Sequence, residues 1–163
     1  MSRKRWTLVL VCVATFMLLL DITIVNVALP SIQEDLDASF SSLQWVVDAY
    51  ALTLASFLLV AGSLGDRLGR RAVFAIGLGI FTVASLLCGI SHTPTMLNIF
   101  RGLQGAGAAA MFATALALIA QEFEGKERAK AIGAWGATVG GADPLQAAED
   151  VEHGRVGGEA AEQ

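Results

Sequence analysis

The sequence predicts an all-α membrane protein, on the strength of three observations. Of its residues, 55% are hydrophobic, above the roughly 45–50% usual for soluble domains. Long runs almost free of Asp, Glu, Lys and Arg alternate with short charged clusters, the pattern that a bilayer imposes. The runs are too long for barrel strands and lack period-two alternation, and in lipid a helix is the form that pairs every backbone group within its own segment. The net charge of −4 sums loops on opposite membrane faces and an acidic tail, so it says little about partners and gives no footprint for nucleic acid.

The first span runs from Thr7 to Leu29, with Asp21 its one charge. At about 1.5 Å rise per residue it is long enough for a hydrocarbon core of roughly 30 Å. Basic residues before an apolar run also open a signal peptide, but this run is long and no small-residue cleavage site follows it. The second span covers Trp45 to Leu64, the third Val73 to Ile90 and the fourth Thr95 to Ala120, each bounded by charge, Gly or Pro. A fifth, built of small residues, begins at Ala131 and stops at Ala142, about 18 Å on. Residues 143–163 are polar, acidic and rich in Gly and Ala, and read as a disordered, off-pattern tail. A helix abandoned in lipid leaves carbonyls unsatisfied, so a frameshift or truncation is the expected origin of this junction.

Arg3, Lys4 and Arg5 precede the first span, Arg67, Arg70 and Arg71 separate the second from the third, and Lys126, Arg128 and Lys130 follow the fourth. With Arg101 and Arg155 these account for all eleven Lys and Arg. The connections Pro30 to Gln44 and Ser91 to Pro94 carry none, so the positive-inside rule places the N-terminus in the cytoplasm of an inner-membrane protein. Trp6 and Trp45 stand at span ends as interface anchors, Asp48 near the outer mouth of the second helix, and His92 in a solvated outer turn.

Two charges lie within spans. Asp21 falls roughly 12 Å and Arg101 roughly 9 Å from the outer ends of their helices. Each costs about 2.5–3.5 kcal/mol on insertion scales, which directs both away from lipid. One reading is a buried ion pair that fixes packing. The other is a proton and substrate site, in which burial favours the neutral acid, a nearby guanidinium favours the carboxylate, and relative movement loads or releases a proton.

The string Gly62-Ser-Leu-Gly65-Asp66-Arg67-Leu-Gly69-Arg70-Arg71 is the most specific in the chain. Its glycines suit a tight turn at the membrane surface, its arginines hold that turn in the cytoplasm, and Asp66 can meet the positive end of a helix. In the fourth helix, Arg101, Gln104, Gly105 and Gly107 combine polar groups with a close-packing strip of small residues. The Gly-x-Gly there follows a membrane span and not a strand, which excludes a dinucleotide loop. Cys12 and Cys88 have no metal-ligand or redox spacing and read as small buried apolar residues. No metalloprotease helix, nucleophile elbow or catalytic carboxylate pair is present, so neither an enzyme nor a metal or cofactor site is expected.

The Gly62–Arg71 string resembles the signature between helices two and three of the major facilitator superfamily. The Arg101–Gly107 stretch resembles that family's fourth-helix motif, and Leu20-Asp-Ile-Thr-Ile-Val-Asn26-Val-Ala-Leu-Pro30 the first-helix motif of its drug:proton antiporter branch with fourteen helices. The resemblance implies the N-terminal part of that fold and alternating access between two halves. Carried over by position, Asp21 and Arg101 couple protons, Asp66 and the arginines after it latch the halves, and Asn26, Gln104, Gly105 and Gly107 line the cavity or pack helices. The family's antiporter motif continues through a Gly-Pro where this chain turns to Asp143-Pro144, leaving the motif incomplete. The expected function is that of the leading fragment of a multidrug efflux antiporter, too short to transport by itself. Its partners would be the lipid bilayer, protons, a hydrophobic or cationic small molecule, and a missing C-terminal half. The contrasting reading is a small four-helix membrane interaction or regulatory protein acting as an oligomer.

Overall fold

The computed structural model describes residues 3–140, and over these the chain forms five helices and no strand: α1 (Arg3–Asp35), α2 (Phe40–Leu68), α3 (Arg70–Gly89), α4 (Pro94–Glu122) and α5 (Gly125–Val139). The first four are long and apolar enough to cross a membrane. The expected tail over 143–163, and the last two residues of the expected fifth span, lie outside the described residues. Large apolar side chains point outward along these helices, Leu59 at 84% exposure and Val27 at 77% among them. A soluble protein hides such groups, whereas helices of membrane-spanning length carry them on faces that lipid or neighbouring helices cover.

Three boundaries correct the sequence reading. Pro30 lies inside α1 and does not end it. Its missing N–H frees a carbonyl one turn back, yet the helix carries on to Asp35, as proline permits near a helix end in membrane proteins. The expected Pro30–Gln44 connection shrinks to residues 36–39, with Asp37 in the left-handed region at φ 47. Ser39 then caps α2, its side-chain oxygen accepting from the Ser42 N–H at 3.2 Å. Finally, α5 starts at Gly125 and not at Ala131.

That earlier start has a local cause. The Arg128 side chain reaches back to the last turn of α4, its Nε donating to the Phe123 carbonyl at 2.9 Å and its Nη2 to that of Ala120 at 2.8 Å. Carbonyls at a helix C-terminus have no partner within the helix, and a cation there satisfies them and the helix dipole together. The basic cluster thus shapes the α4–α5 corner as well as marking a membrane side.

The described residues fall into two compact units. One is Leu20–Thr114; the other combines the residues before Leu20 with those after Thr114. In the second unit, Lys4 pairs with Glu127 at 3.0 Å and Trp135 donates to the Thr15 hydroxyl at 3.0 Å. The N-terminal basic cluster and the start of α5 therefore share one end of that unit. Cys12 is fully buried there, as expected of a small apolar residue.

Helix α4 runs through both units and is the most deeply buried span. More than half of its most apolar window is buried, a larger share than in the other three spans. Its small residues explain why. A Cβ built on Gly107 would lie 2.6 Å from the Phe81 backbone nitrogen and 2.9 Å from the Gly77 carbonyl oxygen, so α3 and α4 touch backbone to backbone. Two residues earlier, a Cβ on Gly105 would collide with the Tyr50 carbonyl and the Thr53 hydroxyl of α2. The two glycines serve two different crossings, the close approach that small residues make possible between membrane helices. Gly77, not singled out in the sequence, is the α3 half of the first crossing.

Candidate functional site: a buried charged ring

The Gly62–Arg71 string is not a loop. Gly62, Gly65, Asp66 and Arg67 lie on α2, Arg70 and Arg71 open α3, and the whole turn between the helices is Gly69. At φ 95, ψ 127 Gly69 occupies a region that disfavours residues with a Cβ. Gly65 serves packing, since a Cβ there would meet Thr114 Cγ2 of α4 at 3.0 Å, while one on Gly62 would meet nothing within 4 Å. Asp66 reaches across the turn, its Oδ1 accepting from Arg70 Nε at 3.2 Å and Nη2 at 2.9 Å. The Asp66 side chain is 66% exposed, so this pair fixes direction more than it adds stability, as surface pairs contribute about 0–1 kcal/mol. Replacing Gly69 with Ala should cost about 1–3 kcal/mol, measured by denaturant titration in micelles, because the strained turn has no other residue to share it.

The buried pair forms as the sequence reading anticipates, and it is part of something larger. Arg101 Nη1 donates to Asp21 Oδ2 at 2.6 Å and to Gln104 Oε1 at 2.7 Å, and Gln104 Nε2 donates to Asp21 Oδ1 at 2.7 Å. The three side chains close a ring in which both carboxylate oxygens accept hydrogen bonds. Arg101 and Gln104 stand one helical turn apart on α4, the spacing that lets both face α1. From α2, the Val46 carbonyl accepts from Arg101 Nε at 3.0 Å, and the Tyr50 ring lies 4.4 Å below the guanidinium carbon, within cation–π range.

Burial gives the ring its importance. The Arg101 side chain is 2% exposed and that of Asp21 15%. Charges placed so deep are stable only when paired and hydrogen-bonded, which this arrangement supplies from three helices. One carboxylate oxygen accepts from the Arg101 cation and the other from the Gln104 amide. A proton arriving on Asp21 would cancel its charge and one of its acceptor positions, leaving the guanidinium without its counter-ion.

Gln104, expected to line the cavity or pack helices, is thus a full member of the ring. Cys88 of α3, read as a buried apolar residue, is half-buried and directs its Sγ to Gln104 Oε1 at 3.8 Å. Val46 and Tyr50 were not singled out, since a backbone carbonyl and an aromatic ring in an apolar run leave no signal until the helices are assembled. Asn26 is on the exposed face of α1, its Nδ2 donating to its own helix at the Ile22 carbonyl at 2.9 Å. Together with Tyr50 and Arg101 it lines a cavity of about 260 Å³ between α1 and α2. His92 is exposed beyond the end of α3, as read. Among the described residues, no three His, Cys, Asp or Glu side chains converge as a metal site would need.

The family model of the Major Facilitator Superfamily matches residues 11–142. The chain belongs to the major facilitator superfamily. Its four apolar helices are accordingly the N-terminal part of that fold. The chain is 47% identical to puromycin resistance protein pur8 of Streptomyces alboniger over 140 residues, 85% of this chain and 28% of that protein. It is 46% identical to multidrug resistance protein Stp of Mycobacterium tuberculosis over 130 residues, 79% of this chain and 24% of that one. Riboflavin transporter RibZ of Clostridioides difficile is 39% identical over 140 residues, 86% of this chain and 31% of the transporter. The chain therefore spans about a quarter to a third of the length of these major facilitator relatives.

Proposed function

We infer that this chain supplies the opening helices of a proton-coupled secondary transporter that exports hydrophobic or cationic compounds, a transporter and not an enzyme. The Asp21–Arg101–Gln104 ring carries the reading. A buried carboxylate whose charge is matched by one movable guanidinium can exchange a proton for a change in helix contacts, the kind of site that ionisable groups within membranes mark. Relatives named for puromycin and multidrug resistance support export of small molecules as the task. The second half of the transporter is the partner that alternating access needs, and Asp66, Arg67, Arg70 and Arg71 are the latch toward it. The N-terminus faces the cytoplasm of the inner membrane, a placement supported by the separation of basic from uncharged connections and by the Lys4–Glu127 pair, which keeps two of the basic clusters at one end.

In the transporter that contains these helices, Asp21→Asn should abolish energy-dependent extrusion of an ethidium-like dye while leaving the protein in the membrane. Dye efflux at the unsubstituted rate would remove Asp21 from the mechanism.

A further inference from the structure

A second cavity, of about 380 Å³, opens between α1, α3 and α4, and its walls include Asp21, Asp35, Ser85, Cys88, Arg101 and Gln104. It differs from the α1–α2 cavity in both position and chemistry. The α1–α2 cavity is walled by Ile22, Val25, Val47, Ala51 and Leu54 around Asn26 and Tyr50, and Asp21 is not part of it. The larger one also has aliphatic walls, Ile24, Ile32 and Leu36 among them, but adds two carboxylates, two serine hydroxyls, a thiol and a carboxamide. Arg101 and Val25 are common to both, so the guanidinium of the ring stands in the wall between an almost wholly apolar space and a more polar one.

The polar cavity also has a direction. Asp35 ends α1 and Gly89 ends α3, while Leu97 is in the first turn of α4, so the cavity lies at the end of the unit that carries the α1–α2 and α3–α4 connections. From Asp35 to Asp21 is about 21 Å along the helix. A space of this size takes on the order of ten waters, and its lining offers the several polar partners that held water needs. A carboxylate at the mouth raises the local concentration of cations, protons included.

We propose that protons reach Asp21 through this α1–α3–α4 cavity, from its Asp35 end, and that the α1–α2 cavity is a separate compartment for the apolar part of the transported molecule. The proposal rests on the reading of Asp21 as the proton carrier. The charged and titratable groups around that carboxylate are Arg101 of α4, Tyr50 of α2, Cys88 of α3 and, at the mouth, Asp35 of α1. Protonation on the polar side releases Arg101, the residue that also bounds the apolar side, so the two compartments communicate through one side chain without sharing a path.

Cys88 gives direct access to the test. With Cys12→Ser in the full chain, reconstituted in lipid vesicles, Cys88 is the sole thiol. It should react with a small charged thiosulfonate reagent and, in parallel samples, with a bulky maleimide. The readout is the infrared carbonyl band of protonated Asp21, assigned by its loss in Asp21→Asn, followed after an acid jump in the medium. The maleimide adduct should slow the appearance of that band by at least about tenfold, a barrier increase of about 1.4 kcal/mol. Ala51→Trp, which fills the α1–α2 cavity, should leave the rate unchanged. A rate insensitive to the adduct but slowed by Ala51→Trp overturns the separate route, as does a Cys88 unreactive to the charged reagent. If no band assignable to Asp21 rises at any pH, Asp21 is not the proton carrier, and the parent reading falls with this one.

Discussion

Truncating Arg101 to Ala should cost the Leu20–Thr114 unit about 2.5–3.5 kcal/mol, the penalty for leaving a lone carboxylate deep in hydrocarbon. The loss is measurable as a lower denaturant midpoint in micelles, with the fluorescence of Trp45 as reporter. The size follows from what is left behind. Arg101 donates to Asp21, Gln104 and the Val46 carbonyl, and its removal strands the Asp21 charge and takes a donor from two further acceptors. Asp21→Asn should cost less, because an amide keeps hydrogen-bonding capacity and the guanidinium retains Gln104, Val46 and the Tyr50 ring. Breaking a buried pair from one side is expensive chiefly through the partner abandoned, so the two single substitutions are not expected to match.

Gly107→Leu is expected to have an effect of similar size by a different physical route. The atoms in the way are backbone: Phe81 N at 2.6 Å and Gly77 O at 2.9 Å from the new Cβ. Backbone cannot rotate aside as a side chain does, so α3 must move away from α4 along the whole crossing. Overpacking costs typically 1–3 kcal/mol, and a backbone clash puts this substitution at about 3 kcal/mol. The same substitution at Gly79, where a Cβ would meet nothing within 4 Å, should change the midpoint little. Comparing the two separates helix crossing from general helix propensity. Because Cys88 lies on α3 and Arg101 on α4, an opened crossing would also loosen the ring, and Gly107→Leu should raise the reactivity of Cys88 toward thiol reagents.

Much of this was legible in the chain itself, for identifiable reasons. Membrane spans are readable because lipid leaves helices as the solution and length follows from bilayer thickness. The pairing of Asp21 with Arg101 was foreseeable from cost alone, since charges at matching depths on separate helices need each other. Boundaries were harder. The sequence reading ended the first span at Leu29 and the second at Leu64 because proline, glycine and charge usually end helices, yet both helices run on past the apolar core, where water and neighbouring groups serve the backbone. The Gly62–Arg71 string looked like a loop because its glycines cluster. In the fold, Gly69 alone needs the conformational freedom, and Gly65 is small for the sake of Thr114. Gln104 and Cys88 were undervalued for another reason: whether a polar residue in a membrane helix glues helices or builds a site depends on what the neighbouring helix brings opposite it.

Asp21 and Arg101 are expected to stabilise the fold only as a pair, and a double-substitution cycle is the test. Asp21→Asn, Arg101→Gln and the combined variant would be compared by denaturant midpoint in the same micelles. Adding Asp21→Asn to Arg101→Gln should restore stability, because removing the stranded carboxylate removes the penalty. If the two losses simply add, the side chains act independently, and the ring is not what holds these helices together.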